Sequence, residues 1–290
     1  MDIKRILFVT KFEALCFDAL QSLLRLRAAA LEHVIFLNVI ERERVAMRRG
    51  AGYLKEEEVR LRETANIRFI DWAENLFEQG MEVGAYIVVG SLVPEAIKAA
   101  RKEEADLIVV GRSHKGVLEQ LYSGSDVMEL LQRAAIPVVV FKHLSGSPMV
   151  PERLFARPLL AMDWSPASVK AVEYLKGIKG VAEEIDVVHV VSETALAGDS
   201  SLAVQEIRKQ TRKKLDAVCD TLEAAGISAR SHVRVGDVEA EIEKAAQEYQ
   251  STLIVAGSSA KPAWVERWIG STPRFMAETS VFPALLVPPD

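Results

Sequence analysis

The chain repeats itself at a fixed spacing. Gly90, Gly111, Gly124 and Pro137 recur as Gly236, Gly257, Gly270 and Pro283, each 146 residues later. The surroundings recur as well. DLIVVG, ending at Gly111, matches TLIVAG, ending at Gly257, and IPVVVF around Pro137 matches FPALLV around Pro283. Self-similarity at this period means two copies of one folding unit, so any reading must hold twice or the copies must differ. The 290 residues give two units of about 145, each long enough to bury its own core.

Within each copy, short apolar runs alternate with longer segments of helical period, the pattern of a parallel sheet covered on both faces. In the first copy the strands are expected at Ile6–Thr10, Val34–Ile40, Val83–Val89, Leu107–Val110 and Pro137–Phe141, with helices over Ala14–Leu31, Glu56–Gln79, Pro94–Glu103 and Asp126–Ala134. The second copy places strands at Leu159–Met162, Ile185–Val191, Ala229–Val235, Leu253–Ala256 and Pro283–Val287. Its first strand lies 152 residues after its counterpart rather than 146, so six residues are missing before the third strand, most of them after the second. The expected fold is α/β: two tandem, open, five-stranded, Rossmann-like parallel sheets of order 3-2-1-4-5, with helices on both faces. Residues 1–142 form the first domain and 158–290 the second; the proline-bearing stretch 143–157 reads as a linker.

Charge and composition narrow the function classes. A formal net charge of −5 and a pI near 5.7 argue against a nucleic-acid surface. No run approaches the ~18 apolar residues of a membrane span, and the apolar stretch in residues 1–10 is too short for a signal peptide. Cys16 and Cys219 form no CxxC pair and are expected in buried helix positions of a protein in a reducing, cytoplasmic compartment. The five histidines have no i,i+4 pair, so no metal site is expected. No GxxxxGK[ST] phosphate loop is present.

Ligands of open parallel sheets bind beyond the carboxyl ends of the strands, where strand order reverses. That points to Lys11–Glu13 and Gly111–Gly124 in the first copy, and to Asp163–Pro166 and Gly257–Gly270 in the second. The pairs Gly124-Ser125 and Gly270-Ser271 precede expected helices, where free N–H groups and the helix dipole favour an anion; Gly-Ser is also a plain helix-start signal.

The spacing G-x2-G-x9-G-[S/T] after strand four, together with the Gly90 loop, DLIVVG and the proline-led last strand, resembles the universal stress protein family in its tandem form. The resemblance covers nearly the whole chain. It implies a non-enzymatic stress-response protein binding ATP or another adenine nucleotide, with an acidic residue after strand one and backbone near the end of strand two holding adenine. Carried over, the second copy offers Asp163, Val190, Gly257, Gly270 and Ser271, and the first offers Val39, Gly111, Gly116, Gly124 and Ser125. The resemblance also implies pairing of the last strands between domains, a homodimer, and a protein partner that it does not name.

Both copies depart from the family pattern. The second motif glycine is His114 in one and Ala260 in the other, and the acidic residue after strand one is Lys11 in the first copy. An ammonium cannot accept the hydrogen bonds of an adenine amine or ribose hydroxyl, so the second copy is the expected nucleotide site. Pro262 and Pro273 stiffen its motif loop and helix start. Trp164, Trp264 and Trp268 flank it, either to stack on a base or to fill a surface. Arg42, Arg44, Arg48 and Arg49 form a basic cluster after strand two of the first copy, expected as a solvated loop. The competing expectation is a nucleotide-independent interaction scaffold; a slow ATPase lacks a visible base or metal ligand.

Overall fold

Apolar runs of four to seven residues make the centre of each sheet, because a strand buried on both faces needs no polar alternation. A computed structural model describes residues 2–12, 14–46, 52–113, 124–143, 151–193, 201–258 and 269–289. The N-terminal domain runs β1 (Arg5–Val9), α1 (Ala14–Leu23), a 3-10 turn (Leu24–Ala28), β2 (His33–Glu41), α2 (Arg42–Val45), α3 (Lys55–Glu78), β3 (Glu82–Gly90), α4 (Leu92–Lys102), β4 (Leu107–Ser113), α5 (Gly124–Arg133) and β5 (Val138–His143). The C-terminal domain repeats the plan: β6 (Pro158–Ala161), α6 (Pro166–Lys176), β7 (Ile185–Ser192), α7 (Ser201–Ala224), β8 (Ala229–Gly236), α8 (Val238–Glu248), β9 (Leu253–Gly257), α9 (Ser271–Glu278) and β10 (Ala284–Val287).

The order 3-2-1-4-5 is realised in both halves, and the halves join into one ten-stranded sheet, β3-β2-β1-β4-β5-β10-β9-β6-β7-β8. All pairings within a half are parallel, whereas β5 and β10 meet antiparallel, Val139 opposite Leu285. The two apolar last strands thus cover each other and leave no bare edge at mid-molecule. Successive side chains enter opposite core layers. Ile6 and Phe8 join α1, α3, α6 and α7; Leu7 and Val9 join α4, α5, α8 and α9.

The first helix ends earlier than its apolar period suggests, at Leu23. Leu23, Leu24 and Leu26 are all buried, and the tighter 3-10 turn turns neighbouring leucines inward where a straight α-helix would fan them apart. The shortening of the second copy can be located: the offset is 152 at Lys11 and Asp163, 151 at Asn38 and His189, and 146 at Lys55 and Ser201, the starts of α3 and α7. Five of the six residues are therefore lost after the second strand. Cys16 and Cys219 are free and buried, in α1 and α7; burial, aided by nearby carboxylates, pushes the Cys219 thiol up to about 11, as for an inert core sulfur. Leu154 and Phe155 sit in the core beside Met162 and Tyr174, and Thr252 Oγ donates to Leu154 O at 2.8 Å.

Two cations of the N-terminal domain cross the seam. Lys142 Nζ donates to Ser280 O at 2.6 Å, to Phe282 O at 3.1 Å and to Met276 O. Arg112 Nη1 donates to Ala277 O at 2.9 Å and to Glu278 O. These carbonyls belong to the end of α9 and the turn after it, where helical geometry leaves acceptors without partners and the dipole favours positive charge. The equivalent residues 146 positions on are Ser258 and Pro288, so this cationic capping has no counterpart in the opposite direction.

Candidate functional site

In the C-terminal domain the turn after β6 is built around Asp163. Its Oδ1 accepts from Ser165 N at 2.9 Å and from Ser165 Oγ at 2.6 Å, and Ser165 in turn caps α6 by accepting from Ser168 N. Pro166 then occupies the first helical turn, where its missing N–H costs nothing. Partial burial pushes the Asp163 carboxyl up, but the hydrogen bonds from Ser165 and Ser168 outweigh it and hold the group below the usual carboxylate range. It is a fixed anion and acceptor at neutral pH. Leu160 and Met162 enter the layer of α6 and α7, while Leu159 and Ala161 face that of α8 and α9. Val190 packs in that same layer, as does Ile269, which anchors the chain just before Gly270 and α9.

The intervening residue, Trp164, has φ 58 and turns the other way. Its ring centroid lies 4.6 Å from that of His189, it packs against the α6/α7 core, and Lys214 Nζ sits 5.5 Å above it. It is half-buried, with its ring packed between His189 and Lys214 against the core. His189 Nδ1 lies 2.7 Å from Met162 O; since a carbonyl only accepts, Nδ1 carries the proton, and the ring clasps the turn.

The N-terminal domain builds the same turn from different residues. Phe12 has φ 57, Phe12 N donates to Thr10 Oγ at 2.7 Å, and Asn38 Nδ2 donates to Thr10 O at 3.0 Å, the place His189 takes in the other half. Arg68, 146 residues before Lys214, donates to Phe12 O at 2.9 Å. The charge differs. Lys11 stands where Asp163 stands, and its Nζ pairs with Glu41 Oε1 at 3.2 Å; Glu41 corresponds to Ser192.

The glycine positions divide likewise. A Cβ on Gly257 would lie 2.5 Å from Ser168 N and 2.7 Å from Ala167, so the first turn of α6 is pressed onto the end of β9 and only glycine fits. Gly257 therefore has a packing role whatever it binds. Gly270 is the N-cap of α9 with φ −58, ordinary for any residue, and the exposed Ser271 opens the helix. The first turn of α9 holds no acidic residue; Pro273 there removes one of its free N–H donors. Helix α5 differs: Gly124 and Ser125 lead it, Asp126 lies in its first turn, and a Cβ on Gly124 would come 2.9 Å from Arg112 Nη2. The arginine that caps α9 lies across this glycine. Gly111 pairs with Phe141 inside β4, and Val39 is buried in β2.

Gly116, His114, Ala260, Pro262, Trp264, Trp268, Arg48 and Arg49 lie outside the described residues. Arg42 and Arg44, expected in a solvated loop, form the short helix α2, closed beneath by the buried Val45. The clasping roles of Asn38 and His189 and the bridging role of Arg112 carry no local sequence signal; comparing the two copies position by position would have exposed the first pair. Among the described residues no group of three or more His, Cys, Asp or Glu side chains is placed to hold a metal ion, and no helix is long and apolar enough to cross a membrane.

The family model of the universal stress proteins matches the chain twice, over residues 2–142 and 155–288. A curated relative, universal stress protein MJ0577 of Methanocaldococcus jannaschii, is 28% identical over 154 residues, 48% of this chain and 95% of the relative. Among solved structures, a universal stress protein from Archaeoglobus fulgidus superposes with a TM-score of 0.73 at 22% identity, covering 100% of both chains. A functionally unknown protein from Pseudomonas aeruginosa PAO1 superposes with a TM-score of 0.65 at 20% identity, covering 99% of this chain and 93% of its own. These two structures show the likeness of fold.

Proposed function

Because the chain belongs to the universal stress protein family, we propose that it is a non-enzymatic stress-response protein whose C-terminal domain binds an adenine nucleotide. The observation that carries this reading is the fixed, ionised carboxylate of Asp163 at the carboxyl end of β6, the same end of the sheet from which the chain leaves the neighbouring parallel strand β9 toward the acid-free start of α9. An acceptor for an adenine amine or ribose hydroxyl and a helix terminus for a phosphate then lie at one end of one sheet. The N-terminal domain offers the reverse: Lys11 tied to Glu41, Asp126 in the first turn of α5, and Arg112 lying over Gly124. Its contribution to nucleotide binding is structural, through the seam.

A scaffold without nucleotide is the second reading. It is favoured by the packing demand at Gly257 and by the exposed Val59, Ile67, Ile70 and Phe77 on α3. Calorimetric titration of the full chain with ATP, ADP and AMP separates the two. Asp163→Asn keeps an oxygen for Ser165 but removes the charge, and is expected to weaken nucleotide binding about 10- to 100-fold, the worth of one charge-assisted hydrogen bond. No heat with wild type supports the scaffold. Binding indifferent to Asp163→Asn but abolished by Ser125→Ala would move the site to the N-terminal domain.

A further inference from the structure

On the α3 side of the N-terminal sheet, away from the layer that contains α4 and α5, a cavity of about 220 Å³ opens between α3 and the carboxyl end of β2. Four cations line it: Lys11 from the turn after β1, Arg44 from α2, and Arg60 and Arg68 from α3, with Glu41 the one carboxylate of the lining. We propose that this cavity is a binding site for a compact phosphate-type oxyanion, a site independent of the nucleotide reading of the C-terminal domain.

The groups are held rather than gathered by chance. Arg68 is oriented by its bond to Phe12 O, made accessible by the left-handed backbone of Phe12. Lys11 is drawn inward, its side chain 16% exposed, and paired with Glu41. Arg60 is braced by Glu57 through two bonds, at 2.8 and 2.6 Å. Counting Glu57 with Glu41, four positive charges meet two negative ones, leaving an excess of two around a concave space. Such a surplus attracts multivalent anions, and guanidinium forks suit the geometry of phosphate oxygens. The volume is below that of pockets that enclose whole drug-sized ligands, roughly 300–1,000 Å³, so it suits a phosphate or diphosphate group rather than a complete nucleotide.

The fold does not demand this charge. At the equivalent positions of the C-terminal domain Lys11 becomes Asp163 and Arg60 becomes Glu206, while Arg68 becomes Lys214. Two reversals of sign at equivalent positions make the basic cavity a property of one copy. The ligand chemistry is shared by free inorganic phosphates and by the phosphate end of a small organic ester.

The full-length protein is titrated calorimetrically with inorganic pyrophosphate, orthophosphate and ribose 5-phosphate at low and high salt. Pyrophosphate binding that weakens with salt is expected, weaker by at least tenfold in Arg60→Glu and lost in the double variant Arg44→Glu/Arg60→Glu, with thermal melting followed by circular dichroism to confirm folding. Arg44→Gln, which adds no negative charge, serves as the milder second variant, with an expected loss of severalfold. Lys244→Gln, at an exposed position on α8 of the other domain, leaves pyrophosphate binding unchanged. A ribose 5-phosphate affinity above that of orthophosphate identifies an organic ester as the ligand, and equal affinities identify the free anion. Absence of pyrophosphate binding at millimolar concentration, or binding that folded Arg60→Glu and the double variant retain in full, overturns the proposal; neither result touches the Asp163 reading.

Discussion

Laid over one another, the turns after β1 and β6 share a conformation and differ in chemistry. Phe12 and Trp164 both adopt a left-handed backbone, at φ 57 and 58, and the carbonyls of Thr10 and Met162 are both clasped from the neighbouring strand, by Asn38 and by His189. Arg68 and Lys214 lie over the two turns from equivalent places on α3 and α7. The scaffold needs a donor at each place and tolerates several kinds. The residue between the clasped carbonyl and the left-handed one is under no such constraint. Lys11 there turns to Glu41, whereas Asp163 turns to its own helix cap. One substitution, matched by the change of Glu41 to Ser192, reverses the charge presented at the carboxyl end of a central strand. The comparison thus separates what holds the turn from what the turn offers a ligand.

The largest effect is expected where the C-terminal copy is tightest. Gly257→Ala inserts a Cβ 2.5 Å from the backbone of α6, and backbone yields less readily than a side-chain tip. A loss of about 3 kcal/mol or more is expected, at the upper end of overpacking. Gly270→Ala, at an N-cap with φ −58, is expected to cost below about 1 kcal/mol. Urea unfolding of both variants checks this. Equal losses would mean that α6 and β9 are free to part, and that the glycine of the motif has no packing role.

The seam gives the next effect. Burial pushes the Lys142 ammonium down from an ordinary 10.5 to about 7, with Glu243 opposing and Arg112 assisting. Between about 7 and 10.5 the unfolded chain keeps a proton that the folded chain has released, so this group makes stability rise with pH across that window and leaves it flat below. The slope approaches ~1.4 kcal/mol per pH unit. Lys142→Met removes it, together with three bonds to carbonyls of the C-terminal domain. Unfolding free energies at pH 7 and 9 should therefore diverge between wild type and variant; parallel curves would show that Lys142 does not titrate in this window.

Much of the fold could be read from residues alone, because buried parallel strands are continuous apolar runs and the 146-residue offset lets each copy check the other. The pairing of β5 with β10 was implied by the family resemblance, and two apolar last strands that each need cover accord with it. Less could be read of the site. Asp163 and Lys11 were distinguishable by type, but the partners that fix them, Ser165 and Glu41, are chosen by backbone conformation. Arg112 and Lys142 reach acceptors more than 130 residues away, and nothing near either in sequence announces a helix end to cap. For Trp164 the sequence leaves stacking on a base and filling a surface equally open; its left-handed backbone, which no local motif signals, packs it against the α6/α7 core.

The smallest effect is the most direct test of the comparison between the turns. If the clasp requires only a donor, His189→Asn should reproduce in the C-terminal domain what Asn38 does in the N-terminal one, donating to Met162 O and losing only the ring contact with Trp164. A cost under about 1 kcal/mol is expected, within the range of a lost aromatic contact. His189→Ala removes the donor as well and leaves a carbonyl unbonded at a half-buried site, at a cost of about 1–3 kcal/mol. The two variants differ in the clasp and in little else, so thermal unfolding measured side by side reads its worth. Were Asn as damaging as Ala, the ring rather than the donor would hold the turn, and the correspondence of Asn38 with His189 would be one of position without shared mechanism.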